Sequence, residues 1–288
     1  MAAGTPAHSP RSSRTWGHGC ARVRSPSTGA RTLQTVSIVG PELITHPELA
    51  EPIFRHPALD FANTHLYEHG TIDNPRNTVA PALAAARLMR SAVIDAADQR
   101  PVFDSEHGPI HAFKDRKRTL REEFDDEYFR HIQWAHLASG GAGGGMRWPN
   151  RHPHVLTPGM RRAQHALARF VPLVDWTRFS RRNLSDDLRI GTQGITAMGC
   201  GDADQAVIWL LRTDCLTRQG MLDPDAAPLT TSFGIPGLRA GTFEVTLFDT
   251  VAGEVISRAT ANSDGAWLEA REVSVRGDLA ICLRAVPA

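Results

Sequence analysis

The 288-residue sequence has no apolar run near the roughly 18–20 residues that cross a bilayer, so no membrane-spanning helix is expected. It has no charge excess either. Thirty-two Lys and Arg against 31 Asp and Glu leave a net charge of +1, and nothing recommends a nucleic acid as partner. Cysteine is scarce: Cys20, Cys200, Cys215 and Cys282 show no metal-ligand spacing. A Cys200–Cys215 disulfide is conceivable, and three buried free thiols in the C-terminal region are the plainer reading. No cofactor and no metal is expected. Residues 1–31 contain no acidic residue and no apolar segment of the kind a secretory signal needs. They carry five arginines among Ser, Pro, Gly and Ala, and such a leader buries too little apolar surface to offset its ordering entropy. Disorder is expected there, and localisation stays open.

What is present starts at about residue 32. "TVSIV" (35–39) is a short β-branched run closed by Gly40-Pro41, as a buried strand would be. "HPELAEPIFRHP" follows as a short helix or turn, and "LDFANTHLY" (59–67) is strand-like until its polar end. "VAPALAAARLMRSAVIDAA" (79–97) predicts a helix with Leu83, Ala86, Met89, Ala92 and Val93 on its inner face. "PVFDS" (101–105) is the next strand. "EEFDDEYFRHIQWAHLAS" (122–139) is a helix with acidic residues in its first turn, where the macrodipole favours them. A Gly-rich passage, "GGAGGGMRW" (140–148), leads to a further helix over 157–174 with Thr157 as N-cap and Pro158 at its first position. Strand and helix alternating at this spacing mean parallel strands joined by helical crossovers. Four strands, near 35–39, 59–65, 101–105 and 140–147, amount to half of a (β/α)8 TIM barrel.

Beyond about residue 190 helical patterns stop. "GITAMGCGDADQAVIWLLRT" reads as two strands around a Gly-Asp turn, "TFEVTLFDTVAGEVISRATANSDGAWLEA" as a hairpin and further strand, and "DLAICLRAV" as a last strand. Short strands with regular turn signals predict an antiparallel β-sandwich over 190–288. The boundary with the 32–185 region falls in "DWTRFSRRNLSDD".

Polar residues gather at the predicted C-terminal ends of the parallel strands, the face on which such barrels build their active sites. His65 and Tyr67 end the second strand, Glu106 and His107 the third, and Trp148 follows the fourth. "DFANTHLY", "RPVFDSEHG" and "HIQWAHLASGGAGGGMRW" resemble the sixth, seventh and eighth strand units of clan A glycoside hydrolases, closest to family 5, which includes cellulases and mannanases. The resemblance covers about residues 33–288. It implies retaining hydrolysis of a β-linked glucan or mannan, with Glu106 as nucleophile and His65, Tyr67 and Trp148 as substrate-site residues. Tyr67 would hold the nucleophile ionised, and Trp148 would floor the subsite where the bond is cut. His107 and His111 follow the nucleophile and could line a subsite, as could Asn150, Arg151 and His152 after Trp148. Asp104, on the same face as Glu106 by strand alternation, is a candidate buried neighbour. Such enzymes are usually secreted.

The resemblance departs from its family at one decisive place. The family's acid/base is a glutamate after an asparagine at the end of the fourth strand, and this sequence has no Asn-Glu pair. Glu42 is the nearest upstream substitute, with a helix-start glutamate as its ordinary role. The chain therefore reads as the C-terminal half of a barrel with its sandwich: a truncated gene product, the result of a misplaced start site, or one half of a split protein. Unpaired edge strands would then make it marginal in isolation, aggregation-prone, or dependent on a partner supplying the missing N-terminal half. The alternative is a non-catalytic carbohydrate-binding or structural remnant. Exposed aromatics among Trp209, Phe243, Phe248 and Trp267 would support it, although alternation puts most of them in a core.

Overall fold

A computed structural model describes residues 32–96, 100–110, 120–148 and 156–287. Four parallel strands come first: β1 (Ser37–Val39), β2 (Ala62–His65), β3 (Val102–His107) and β4 (Met146–Arg147). They lie side by side in chain order, β1-β2-β3-β4, and each pair is parallel. A doubly wound sheet reverses its strand order at a switch point, whereas a TIM-type barrel adds each strand beside the last. The order seen here is the barrel's. The fold class is thus a partial barrel of four strand units followed by an antiparallel β region.

The connections carry helices α1 (Gly40–Thr45), α2 (Ala50–Phe54), α3 (Val79–Asp95) and α4 (Glu122–Ala138), with α5 (Pro158–Phe170) after β4. Helix α3 buries Ala86, Met89, Ala92 and Val93, with Leu83 partly buried beside them. Helix α5 starts as its sequence directs: the Thr157 hydroxyl accepts from the Met160 amide at 3.0 Å, and Pro158 occupies the first turn, where no amide hydrogen is needed. Its last turn passes into a 3-10 segment, Val171–Leu173. Helix α4 is buried almost all round, from Phe124 to Ala138, because it lies between two sheets. Among the described residues no helix is long and apolar enough to cross a membrane.

The second sheet has nine antiparallel strands: β5 (Arg182–Asn183), β6 (Arg189–Ile190), β7 (Ile195–Gly201), β8 (Gln205–Arg212), β9 (Leu229–Pro236), β10 (Gly241–Asp249), β11 (Glu254–Ser263), β12 (Trp267–Val275) and β13 (Asp278–Ala285). Their order is β5-β7-β8-β13-β10-β11-β12-β9-β6. The sandwich expected from sequence is one sheet curled on itself: β11 and β12 are joined through a single residue pair, Ser263 and Leu268, and the sheet folds there. The central strands are consequently covered on both faces. Along β8, Ala206, Ile208 and Leu210 point into the core inside the curl. Val207, Trp209 and Leu211 point to the helices. Strict period-two alternation with both faces apolar is why "AVIWLL" reads as one continuous hydrophobic run.

Trp209, Phe243 and Phe248 are all buried, so none offers an exposed sugar platform. Trp267 is half-buried, with the Arg189 guanidinium 3.5 Å above its ring. A buried polar knot ties α4 to the sheet. Arg130 donates to Thr250 at 2.9 Å and pairs with Asp278, which also accepts from the Trp209 indole at 2.9 Å. The guanidinium keeps the Asp278 carboxyl below its ordinary range even though burial alone would raise it. Cys200, Cys215 and Cys282 are free thiols, so the conceivable Cys200–Cys215 bridge is not formed. Burial pushes the Cys200 and Cys282 thiols up to about 12, which makes them inert packing groups.

Candidate active site

The site is built at the C-terminal ends of β2 and β3. β3 is longer than its sequence suggests and carries Glu106 and His107 as its last two residues. Its pairing with β2 slips by one: Thr64 faces Asp104, but His65 faces Glu106, leaving Ser105 unpaired. A bulge of this kind re-aims the side chains beyond it. Fully buried positions along β3 accordingly run Val102, Asp104, His107, a step of two followed by a step of three. This corrects the expectation that Asp104 and Glu106 share a face. The extra residue puts Asp104 with His107 and turns Glu106 toward the ends of β1 and β2.

On that open side the Tyr67 hydroxyl donates to Glu106 Oε1 at 2.8 Å. Burial drives the Tyr67 phenol well above its ordinary range, and the hydrogen bond and charge of Glu106 push the same way, so Tyr67 remains a donor. His65 Nδ1 lies 3.6 Å from the same carboxylate oxygen, close enough for an electrostatic contact and too long for a hydrogen bond. The other ring nitrogen of His65 shares a 2.6 Å hydrogen bond with the Ser37 hydroxyl on β1. Three adjacent strands thus contribute to one cluster. Glu106 and His65 each keep 22% of their side chains exposed, so the carboxylate is held by protein and still open to a ligand. Ser37 was missed at the level of sequence, where it reads as one more small residue of the "TVSIV" run.

Behind β3 the chemistry is different. Asp104 is fully buried. Its Oδ1 accepts from the backbone amides of Leu66 at 3.0 Å and Glu106 at 3.2 Å, pinning the ends of both strands. Its Oδ2 lies 3.2 Å from His107 Nδ1 and 3.3 Å from His136 Nε2. His107 is fully buried, stacked 6.2 Å from Phe129 and edge-on to His136. The structure therefore places His107 among helix residues, away from any surface a substrate could reach. Burial, the largest influence on each group, raises the Asp104 carboxyl to about 6 and lowers His107 to about 3 and His136 to about 4. His136, in the middle of "HIQWAHLAS", gave no sign in sequence that it would meet Asp104.

Trp148 reaches the same strand end through its backbone: its amide donates to the His107 carbonyl at 2.6 Å. Between them Gly108 has φ +154°, and a Cβ there would sit 1.6 Å from the Trp148 carbonyl oxygen, so only glycine lets the two segments close. The Trp148 side chain is half-buried and packs against the main core. Arg147 beside it is held by Asp125 from the first turn of α4, through Nε at 3.0 Å and a second contact from the guanidinium. Glu42 is exposed in the first turn of α1, the ordinary place for a helix-start glutamate. His111, Asn150, Arg151 and His152 lie outside the described residues. A separate cavity at the N-terminal end of β3, lined by Arg100, Pro101, Val102, Phe179 and Arg181, is at the opposite end of the strand from Glu106.

No family model and no curated protein matches the sequence. Solved structures resemble the fold at low identity. A glycoside hydrolase family 5 protein from Bacteroides vulgatus shares 11% identity over 82% of this chain and 53% of its own, with a TM-score of 0.49. A family GH30 endoxylanase from Clostridium papyrosolvens shares 10% identity over 96% of this chain and 61% of its own, with a TM-score of 0.44. A glucosidase from Croceicoccus marinus shares 13% identity over 97% of this chain and 66% of its own, with a TM-score of 0.36. This chain spans about half to two thirds of the length of these proteins, and they represent more than one glycoside hydrolase family.

Proposed function

We propose that this chain carries the nucleophile side of a retaining β-glycoside hydrolase site, acting on a β-linked glucan or mannan as family 5 enzymes do. The observation that carries the reading is the 2.8 Å hydrogen bond from Tyr67 to a partly open Glu106 at the ends of adjacent parallel strands. A retaining nucleophile must be ionised, held still, and able to reach an anomeric carbon. Tyr67 supplies the donor that holds the carboxylate in position. His65, tethered by Ser37, sits where it would bind a sugar hydroxyl. Trp148 is assigned the sugar-stacking floor on the strength of its place after β4. Attack by Glu106 forms a covalent glycosyl ester and expels the leaving group, which a second carboxylate about 5–5.5 Å away must protonate. Asp104 is unsuited to that part because it is sealed behind β3. We assign the acid/base to further barrel units, whether in a partner or in additional chain. These would pair with the outer strands β1 and β4, where Val39 and Met146 are exposed.

The test is labelling with 2-deoxy-2-fluoroglycosyl dinitrophenolates of glucose and mannose. Their leaving group departs unprotonated, so the reaction needs only the nucleophile side of the site. Intact mass should show one adduct, and peptide mapping should place it on Glu106. Folded protein that takes no label, or labels elsewhere, overturns the reading.

A further inference from the structure

We propose that Asp104, His107 and His136 form a closed site for a divalent transition-metal ion of the zinc class, directly behind the strand that carries Glu106. The inference stands apart from the role given to Glu106, and it runs against the sequence-based expectation that no metal is bound. The donor set is two imidazoles and a carboxylate, all fully buried, with one donor atom from each within 4.8 Å of the others. That combination of N and O ligands suits zinc.

The spacing fits an ion: His107 Nδ1 makes a long hydrogen bond to Asp104 Oδ2, and His136 at the same oxygen makes none. Charge-assisted N–H···O contacts run at about 2.7–2.9 Å. Donors about 2.0–2.1 Å from a tetrahedral ion lie roughly 3.3–3.4 Å from each other. Asp104 Oδ2 is 3.2 Å from His107 Nδ1 and 3.3 Å from His136 Nε2. The contact to His136 does not have hydrogen-bond geometry: both ring nitrogens of His136, although fully buried, have no hydrogen-bond partner among the described residues. An imidazole sealed from water, with a nitrogen 3.3 Å from a carboxylate oxygen and no bond formed, is the arrangement a bound cation would complete.

The carboxylate is also prepared as a ligand. Oδ1 is spent on the amides of Leu66 and Glu106, which fixes the plane of the group and leaves Oδ2 for the histidines. Outer contacts of this kind orient the ligands of metal sites. A neutral imidazole and a carboxylate are the forms in which these side chains bind metal. The neighbouring guanidinium of Arg147 is engaged with Asp125. Three protein donors leave one coordination position for a water molecule. The site is sealed, so the ion enters as the chain folds.

The test uses the full chain produced in medium supplemented with zinc, then freed of loosely held metal by gel filtration. Elemental mass spectrometry should find about one zinc per chain, and the zinc absorption edge should show nitrogen and oxygen ligands only. In His136→Gln and in His107→Gln, each checked for native circular dichroism, zinc affinity should fall at least about 100-fold. If either variant fails to fold, the stoichiometry and ligand shell of the wild type decide the matter alone. Folded wild-type protein holding well under one zinc, zinc retained at full affinity by both folded variants, or sulfur in the ligand shell would each overturn the proposal.

Discussion

On one face of β3 Glu106 keeps part of its surface open and accepts a hydrogen bond from a tyrosine; two residues earlier, on the other face, Asp104 is sealed among two histidines and two backbone amides. Both are carboxylates on one six-residue strand, and a single bulge at Ser105 separates their fates. A third carboxylate completes the contrast. The Asp278 side chain is nearly as buried as that of Asp104, but a guanidinium faces it, and its carboxyl is lowered where that of Asp104 is raised. Burial by itself decides little about what a carboxylate does. The partner it meets, and whether it keeps a path to solvent, separates a reactive group from a ligand and a ligand from a structural ion pair.

The comparison can be broken from either face. Glu106→Gln removes the carboxylate proposed to attack the sugar, and labelling by the fluorosugar should fall by roughly 10⁴-fold or more with folding intact. Asp104→Ala acts on the sealed side. It leaves the Leu66 and Glu106 amides without their acceptor, and the midpoint of urea unfolding should reveal a loss of about 2–4 kcal/mol. Tyr67→Phe deletes one hydroxyl from the open side. The labelling rate should drop roughly 10- to 100-fold, the worth of one hydrogen bond to a charged group, while urea stability changes by under about 1 kcal/mol.

The smallest effect concerns pH. The folded-state value of Asp278 is lowered, so its contribution to stability is full above the ordinary carboxyl value of about 4 and is lost as pH falls through the lower folded value. Arg130, Thr250, Trp209 and His131 are the groups around it. Melting temperatures of wild type and Asp278→Asn, measured from pH 7 to pH 2, should converge at the acid end and lie furthest apart near neutrality.

The sequence disclosed the parallel order and the two-faced apolar run of β8 because both are written in local periodicity. The placement of Glu106 and Tyr67 at the ends of parallel strands was legible too, since polar residues ending apolar strands are visible without a structure. Register was another matter. The bulge at Ser105 follows from how β3 pairs with β2 and cannot be seen in "VFDSEHG" alone. Without it, alternation assigns Asp104 to the wrong face and leaves His107 looking solvent-accessible. The fourth strand shrank from the expected 140–147 to Met146–Arg147 because the glycines before it pack closely: a Cβ on Gly145 would meet the Ser105 backbone at 2.1 Å. His136 became relevant only when α4 folded over β3, bringing together residues 32 positions apart in sequence.

The assignment of Glu106 is tested most directly by Glu106→Gly supplied with azide and a β-dinitrophenyl glycoside from which the wild type releases dinitrophenolate. Removing the carboxylate opens space on the α face of the sugar, and azide entering there gives the α-glycosyl azide, which proton NMR distinguishes from the β anomer. The account predicts that product from the variant and none from the wild type. A folded wild type that releases no dinitrophenolate even as a single burst, or a variant that forms no α-azide while keeping wild-type dinitrophenolate release, would contradict it.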